Sequence, residues 1–166
     1  MDTKVEALMS VAGRVYSVEG NTGSQAGAID FLEMLPADDH PCLLLALIIG
    51  QTTEFGDAQD EMVEYLVKRG GTLTSGSGGA APTPRPSDFG DGGAGFTVEV
   101  GNTTKGSFTS GVNVHRGAFN IRAGLELFWT PETAIKFGQA NQLIVEQVAA
   151  PVDAVTWTVC AYIQEL

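Results

Sequence analysis

The chain has 166 residues, 43% of them hydrophobic and 17% charged, with 21 glycines and a formal net charge of −11. That length suits one domain, 1–166, with a real core, and that hydrophobic share argues against wholesale disorder. The acidic balance sets the chain against DNA phosphates and anionic membrane surfaces, so neither nucleic acid nor membrane is an expected partner.

The N-terminal MDTKVEALMSVAG has neither the basic start nor the continuous apolar stretch of a signal peptide. Met1–Val11 reads instead as an N-terminal arm. Strand candidates follow at Val15–Glu19, Ala28–Leu35, Leu43–Gln51 and Met62–Lys68. In the second, Ile29, Leu32 and Leu35 do not share one face, which asks for a bulge or a short helical turn. Leu43–Ile49 is apolar on both faces, so periodicity alone allows a buried helix. Its brevity and the flanking Pro41 and Gly50 favour a central strand. The longest apolar run, Cys42–Ile49, is far short of the ~20 residues of a membrane span.

An acidic cluster, Glu54, Asp57, Asp60, Glu61 and Glu64, runs from beyond the third candidate into the fourth. A calcium site would need about six to eight oxygens in an ordered loop. The D-x-[DN]-x-[DN]-G pattern is missing, so a solvated loop is the expectation. No metal is expected elsewhere either, because His40 and His115 stand apart from cysteines and carboxylates at ligand spacing. Cys42 and Cys160 each lie in an apolar run and should be buried free thiols in a protein made in a reducing cytosol.

Gly70–Gly95 holds nine glycines and three prolines in 26 residues and almost no apolar face. It reads as one long loop. Its glycines allow close backbone approach, and Pro82, Pro84 and Pro86 pre-extend its middle. The expectation is a docking arm whose anchoring side chains are Thr72, Leu73, Pro82, Pro84 and Phe89, with Arg85 free to meet an acidic partner.

Beyond it, Thr97–Val100 and Lys105–Thr109 flank a Gly-Asn-Thr-Thr turn and predict a hairpin. Asn102-Thr103-Thr104 also matches a glycosylation sequon, which carries no weight without a secretory signal. Strands are predicted at Asn113–Ile121, Gly124–Phe128, Leu143–Val148 and Val155–Ile163. A short helix is predicted at Glu132–Phe137, with Thr130 as its cap and Pro131 as its first residue. Trp129 and Trp157 could stack on sugars, although core or interface roles are commoner for such residues.

About seven to nine short strands without a sustained helical period predict an all-β fold, an antiparallel β-sandwich, with a jelly roll as first choice. There is no G-x-S-x-G elbow and no cysteine–histidine neighbour in the sequence. No catalytic residue and no cofactor are therefore expected. The last two strands carry apolar residues on both faces, where one sandwich needs only one, which predicts a homo-oligomer, a trimer by preference.

Four stretches carry a resemblance: SGSGGAAPTPRP, AGFTVEVGNTT, HRGAFNIRAG and LIVEQVAAPVDAVTWTVCAYI, in order over roughly Gly70 to Ile163. In these the chain resembles small β proteins encoded by tailed phages and prophages. The resemblance implies a virion context and a role as a capsid decoration (cement) protein, commonly trimeric, bound to the major capsid protein. Its location would be the capsid surface, after assembly in the host cytoplasm. A head-fibre, tail or baseplate component, or a carbohydrate-binding or cupin-like domain, are the alternatives.

Overall fold

The computed structural model describes residues 13–37, 40–53 and 60–166. Met1–Val11, Glu54 and Asp57, singled out above, lie outside the described residues. The described chain forms strands and no helix. The first four strands are β1 (Val15–Gln25), β2 (Asp30–Pro36), β3 (Cys42–Gln51) and β4 (Met62–Gly70). The former long loop and its sequel carry β5 (Leu73–Thr74), β6 (Arg85–Pro86), β7 (Phe96–Glu99) and β8 (Ser107–Phe108). The rest are β9 (Gly111–Asn120), β10 (Leu125–Phe128), β11 (Ile135–Phe137), β12 (Gln142–Gln147) and β13 (Val155–Glu165).

Two antiparallel sheets stack. Sheet A runs β10-β3-β13-β1-β6, with β11 also on β3, and sheet B runs β7-β2-β12-β4-β9. Without β6, β7 and β11, the orders β10-β3-β13-β1 and β9-β4-β12-β2 set early strands beside late ones in both sheets. This interleaving of two Greek keys is a jelly roll. Alternation explains the core: along β13, Val155, Trp157, Val159, Ala161 and Ile163 are buried while the residues between them face outward. Trp157 meets Phe31 edge-on at 5.3 Å and Phe119 at 6.0 Å, so three rings fill the middle of the sandwich.

The misfit in Ala28–Leu35 resolves as a bulge. Val145 pairs with Leu32 and Glu146 with Asp30, so Phe31 is an extra residue in β2. It turns Phe31 into the core while Asp30 and Glu33 stay on the outward face of sheet B.

Two local expectations are corrected. Thr97–Val100 and Lys105–Thr109 are not a hairpin: β7 pairs with β2, and the short β8 pairs with β5. The helix at Glu132–Phe137 is replaced by a turn and a strand. Thr130 and Thr133 close the turn, with the Thr133 and Ala134 amides donating to the Thr130 carbonyl, and Ile135–Phe137 then pairs with β3. Thr130 Oγ1 meets Thr133 Oγ1 at 3.1 Å instead of capping a helix, and the ladder along β3 outcompetes a helix of one or two turns, which is marginal alone.

Candidate interaction surfaces

The glycine-proline segment does not hang free. After β5, Ser77 bridges to Thr104 and Ala80 to Val100. β6 then adds to β1 at the edge of sheet A, with Tyr16 opposite Pro86 and Ser17 opposite Arg85. The chain turns, crosses the end of the sandwich and adds β7 to β2 at the edge of sheet B. The segment is therefore a strap that joins two sheet edges and protects both from pairing with other chains.

The predicted anchoring residues divide accordingly. Leu73 is half-buried in β5, its amide donating to Gln142 Oε1 at 3.0 Å. Pro82 and Pro84 are half-buried, and Arg85 lies in β6 with its side chain outward. Thr72 is exposed, and its carbonyl accepts from Thr109. Of the six, only Phe89 projects fully, at 102% exposure. The strap's backbone thus docks on its own chain, and the docking-arm expectation narrows to its tip.

Beneath the strap lies a layer of carboxyl groups that the sequence reading passed over. Asp30 and Glu33 are completely buried on the outward face of sheet B, and Glu146 and Asn102 nearly so. Glu33 Oε2 accepts from the Gly76 amide at 2.9 Å, and Asp30 Oδ2 accepts from the Gly106 amide at 2.6 Å. Asn102 donates to Glu99 at 2.8 Å and to Glu33 at 3.4 Å, and accepts from the Gly79 amide at 3.2 Å. Lys68 and Lys105 both pair with Glu146. Glycine is required where the strap comes closest: a Cβ on Gly79 would sit 2.5 Å from the Val100 carbonyl oxygen. Burial raises the Asp30 carboxyl to a pKa of about 7, partly offset by the Gly106 amide and Lys105 and reinforced by Glu146 and Glu33. The layer fastens the strap and is sealed from substrates. Asn102 cannot carry a glycan, being 1% exposed.

The outward face of sheet A has no such cover among the described residues. Phe128, Ala46, Tyr162 and Ser17 form one cross-strand row, and Glu126, Ile48, Cys160 and Glu19 the next. Phe128 is 69% exposed and Tyr162 38%, with Leu43, Leu45 and Ile48 half-buried around them. A shallow hollow of about 460 Å³ lies between Ile48, Cys160 and Glu19.

Cys42 is buried and Cys160 half-buried, and both are free thiols. Burial pushes the Cys42 thiol up to about 12, with Glu165 adding to the effect, and raises Cys160 less. A maleimide at pH 7 should therefore label Cys160 slowly and Cys42 only after denaturation. Mass spectrometry showing equal labelling of both in the native protein would contradict this packing.

The titratable clusters are structural in their contacts. Asp60 pairs with Arg122, Glu61 accepts from the Val152 amide, and Glu64 pairs with Arg116. His115 bonds the Tyr65 hydroxyl at 3.0 Å and stacks near Trp129, which is half-buried against the core. Among the described residues, no three His, Cys, Asp or Glu side chains are placed to hold a metal ion. The chain matches no family model, no curated protein and no solved structure.

Proposed function

We propose that the chain is a structural virion protein of a tailed phage, a capsid decoration (cement) protein that works as a homo-oligomer, by preference a trimer, on the major capsid protein. The observation that carries the reading is the asymmetry of the two outer faces. The chain covers the β2–β12 half of sheet B with its own Gly76–Gly79 and Asn102–Ser107 stretches and leaves the outward face of sheet A open, as an assembly subunit requires. The resemblance over Gly70–Ile163 supplies the virion setting, and the jelly roll is an architecture that capsid proteins use. Phe31, Phe119 and Trp157 fill the space that a cupin-type fold keeps for its ligand, which favours a structural role over an enzymatic one.

A cement protein adds buried area across the seams between capsid subunits, and a well-packed sandwich can do so without reorganising. The test uses capsids made from the prophage that encodes the chain, stripped of this protein. Added protein should co-sediment with them at saturating, symmetric stoichiometry and raise their melting temperature. Binding to isolated tails and not to capsids would move the protein to the tail.

A further inference from the structure

The chain is strongly acidic, so the location of its unneutralised bases is informative. Among the described residues, Arg14, Lys68, Lys105, Arg116 and Arg122 each pair with a carboxylate. Arg69, Arg85 and Lys136 form no such pair. Two of these three, Arg69 and Lys136, line one hollow of about 380 Å³ together with His40, Pro41 and Ala140. The hollow is built rather than incidental. An Arg69 guanidinium nitrogen donates to the Lys136 carbonyl at 2.7 Å, and Gly138 and Asn141 exchange backbone hydrogen bonds across the rim. Arg69 comes from β4 in sheet B and Lys136 from β11 in sheet A, so the hollow bridges the two sheets, beside the point where His40 packs against Gly95.

The tip of the strap carries a shape of matching chemistry. At the strap's tip, Asp88, Phe89, Gly90 and Asp91 form a turn: the Asp91 amide donates to the Asp88 carbonyl at 3.0 Å, and the Gly90 amide to Asp88 Oδ1 at 3.0 Å. The turn is held on both sides, by the Ser87 amide on the Val15 carbonyl at 2.7 Å and by the Tyr16 hydroxyl on the Gly92 carbonyl at 3.1 Å. Phe89 stands fully exposed between two acids. Isolated exposed apolar side chains are ordinary. A fully exposed ring on a pre-ordered turn flanked by carboxylates, and a hollow with two cations on its rim that pair with no carboxylate among the described residues, are a complementary pair.

We infer that Phe89 of one copy enters the hollow of the next, with Asp88 and Asp91 meeting Arg69 and Lys136. The inference rests on the homo-oligomer reading above and names the surfaces by which copies meet. The contact uses two different surfaces, so it is head-to-tail and closes into a ring when the rotation permits, as a trimer does. Ordering of the turn before contact lowers the entropy lost on association, and the central aromatic is the residue expected to dominate.

The experiment is sedimentation velocity on the full chain and on two variants, Phe89→Ala and Lys136→Glu, both at exposed sites and each checked for an unchanged melting temperature. Wild type should sediment as the closed oligomer. Each variant alone should weaken self-association at least roughly tenfold and run as a monomer at low micromolar concentration. Mixed, they should give a heterodimer and nothing larger, because one intact tip and one intact hollow remain. Phe89→Tyr should retain the oligomer. Wild type that stays monomeric, variants that stay oligomeric, or a mixture without heterodimer would each overturn the inference. Particle binding measured in parallel keeps the two ideas apart: capsid binding lost in Phe89→Ala with the oligomer intact would assign the tip to the capsid protein instead.

Discussion

Replacing Asn102 by alanine is expected to lower the unfolding free energy by roughly 2–4 kcal/mol, the range for stripping partners from buried polar and charged groups. Asn102, itself buried, serves three groups at once. Its amide nitrogen faces the Glu33 and Glu99 carboxylates, and its oxygen takes the Gly79 amide. Alanine removes all three contacts and leaves Glu33 with no exit to water, since its side chain is completely buried. For a domain of this size the loss corresponds to a fall in melting temperature of roughly 5–15 °C. The loss should be accompanied by early exchange of the Gly76, Gly79 and Gly106 amides, which the strap's polar layer now protects. A loss below about 0.5 kcal/mol, the level of an ordinary surface substitution, would show that the strap is held elsewhere.

The second large effect is a dependence on pH. The folded chain holds the Asp30 proton up to about pH 7, whereas its ordinary value is 3.8. The folded state therefore binds more protons than the unfolded state between those limits, and stability falls as pH rises from about 4 to about 7, then levels off. A gap of roughly three pH units at about 1.4 kcal/mol each puts an upper bound near 4 kcal/mol on this contribution. Asp30→Asn keeps an acceptor for the Gly106 amide and places a donor near Oδ1, which has no partner in the fold, as is also true of Glu33 Oε1. Urea midpoints at pH 5 and pH 8 should converge in Asp30→Asn relative to wild type. An undiminished difference between the two pH values would rule out Asp30 as its source.

Much of the architecture was legible in the sequence because a sandwich writes itself as alternation. β13 shows it most clearly, with Trp157, Val159 and Ala161 inward and Thr158, Cys160 and Tyr162 outward. The misfit at Ile29, Leu32 and Leu35 was also readable, and the Phe31 bulge explains it. The strap was not. Its order comes from backbone bridges such as Ser77 to Thr104 and Ala80 to Val100, which leave no side-chain pattern. A segment of glycine and proline with no apolar face reads as a loop whether or not it finds an edge to pair with. The same blindness hid the role of Ile144 and Glu146. Their outward position in β12 suggested a partner chain, but the cover over sheet B is the chain's own Asn102–Ser107 stretch. For the interaction surfaces, Phe89 stands out in the sequence as a lone aromatic in a glycine-proline stretch and is exposed in the fold, while the hollow of Arg69 and Lys136 is built from residues 67 positions apart and has no local signature.

The place of β13 in sheet A carries a consequence for how the molecule comes into being. The last strand is threaded between β1 and β3, the first and third, and joins each along nearly its whole length. During synthesis β1 and β3 emerge early and must wait, with their inner edges unpaired, until some hundred further residues have been made. At about 5–20 residues per second that interval lasts several seconds or longer. Completion of this sheet therefore waits for Val155–Glu165, is slow through its distant pairings, and is most exposed to aggregation just before that strand emerges.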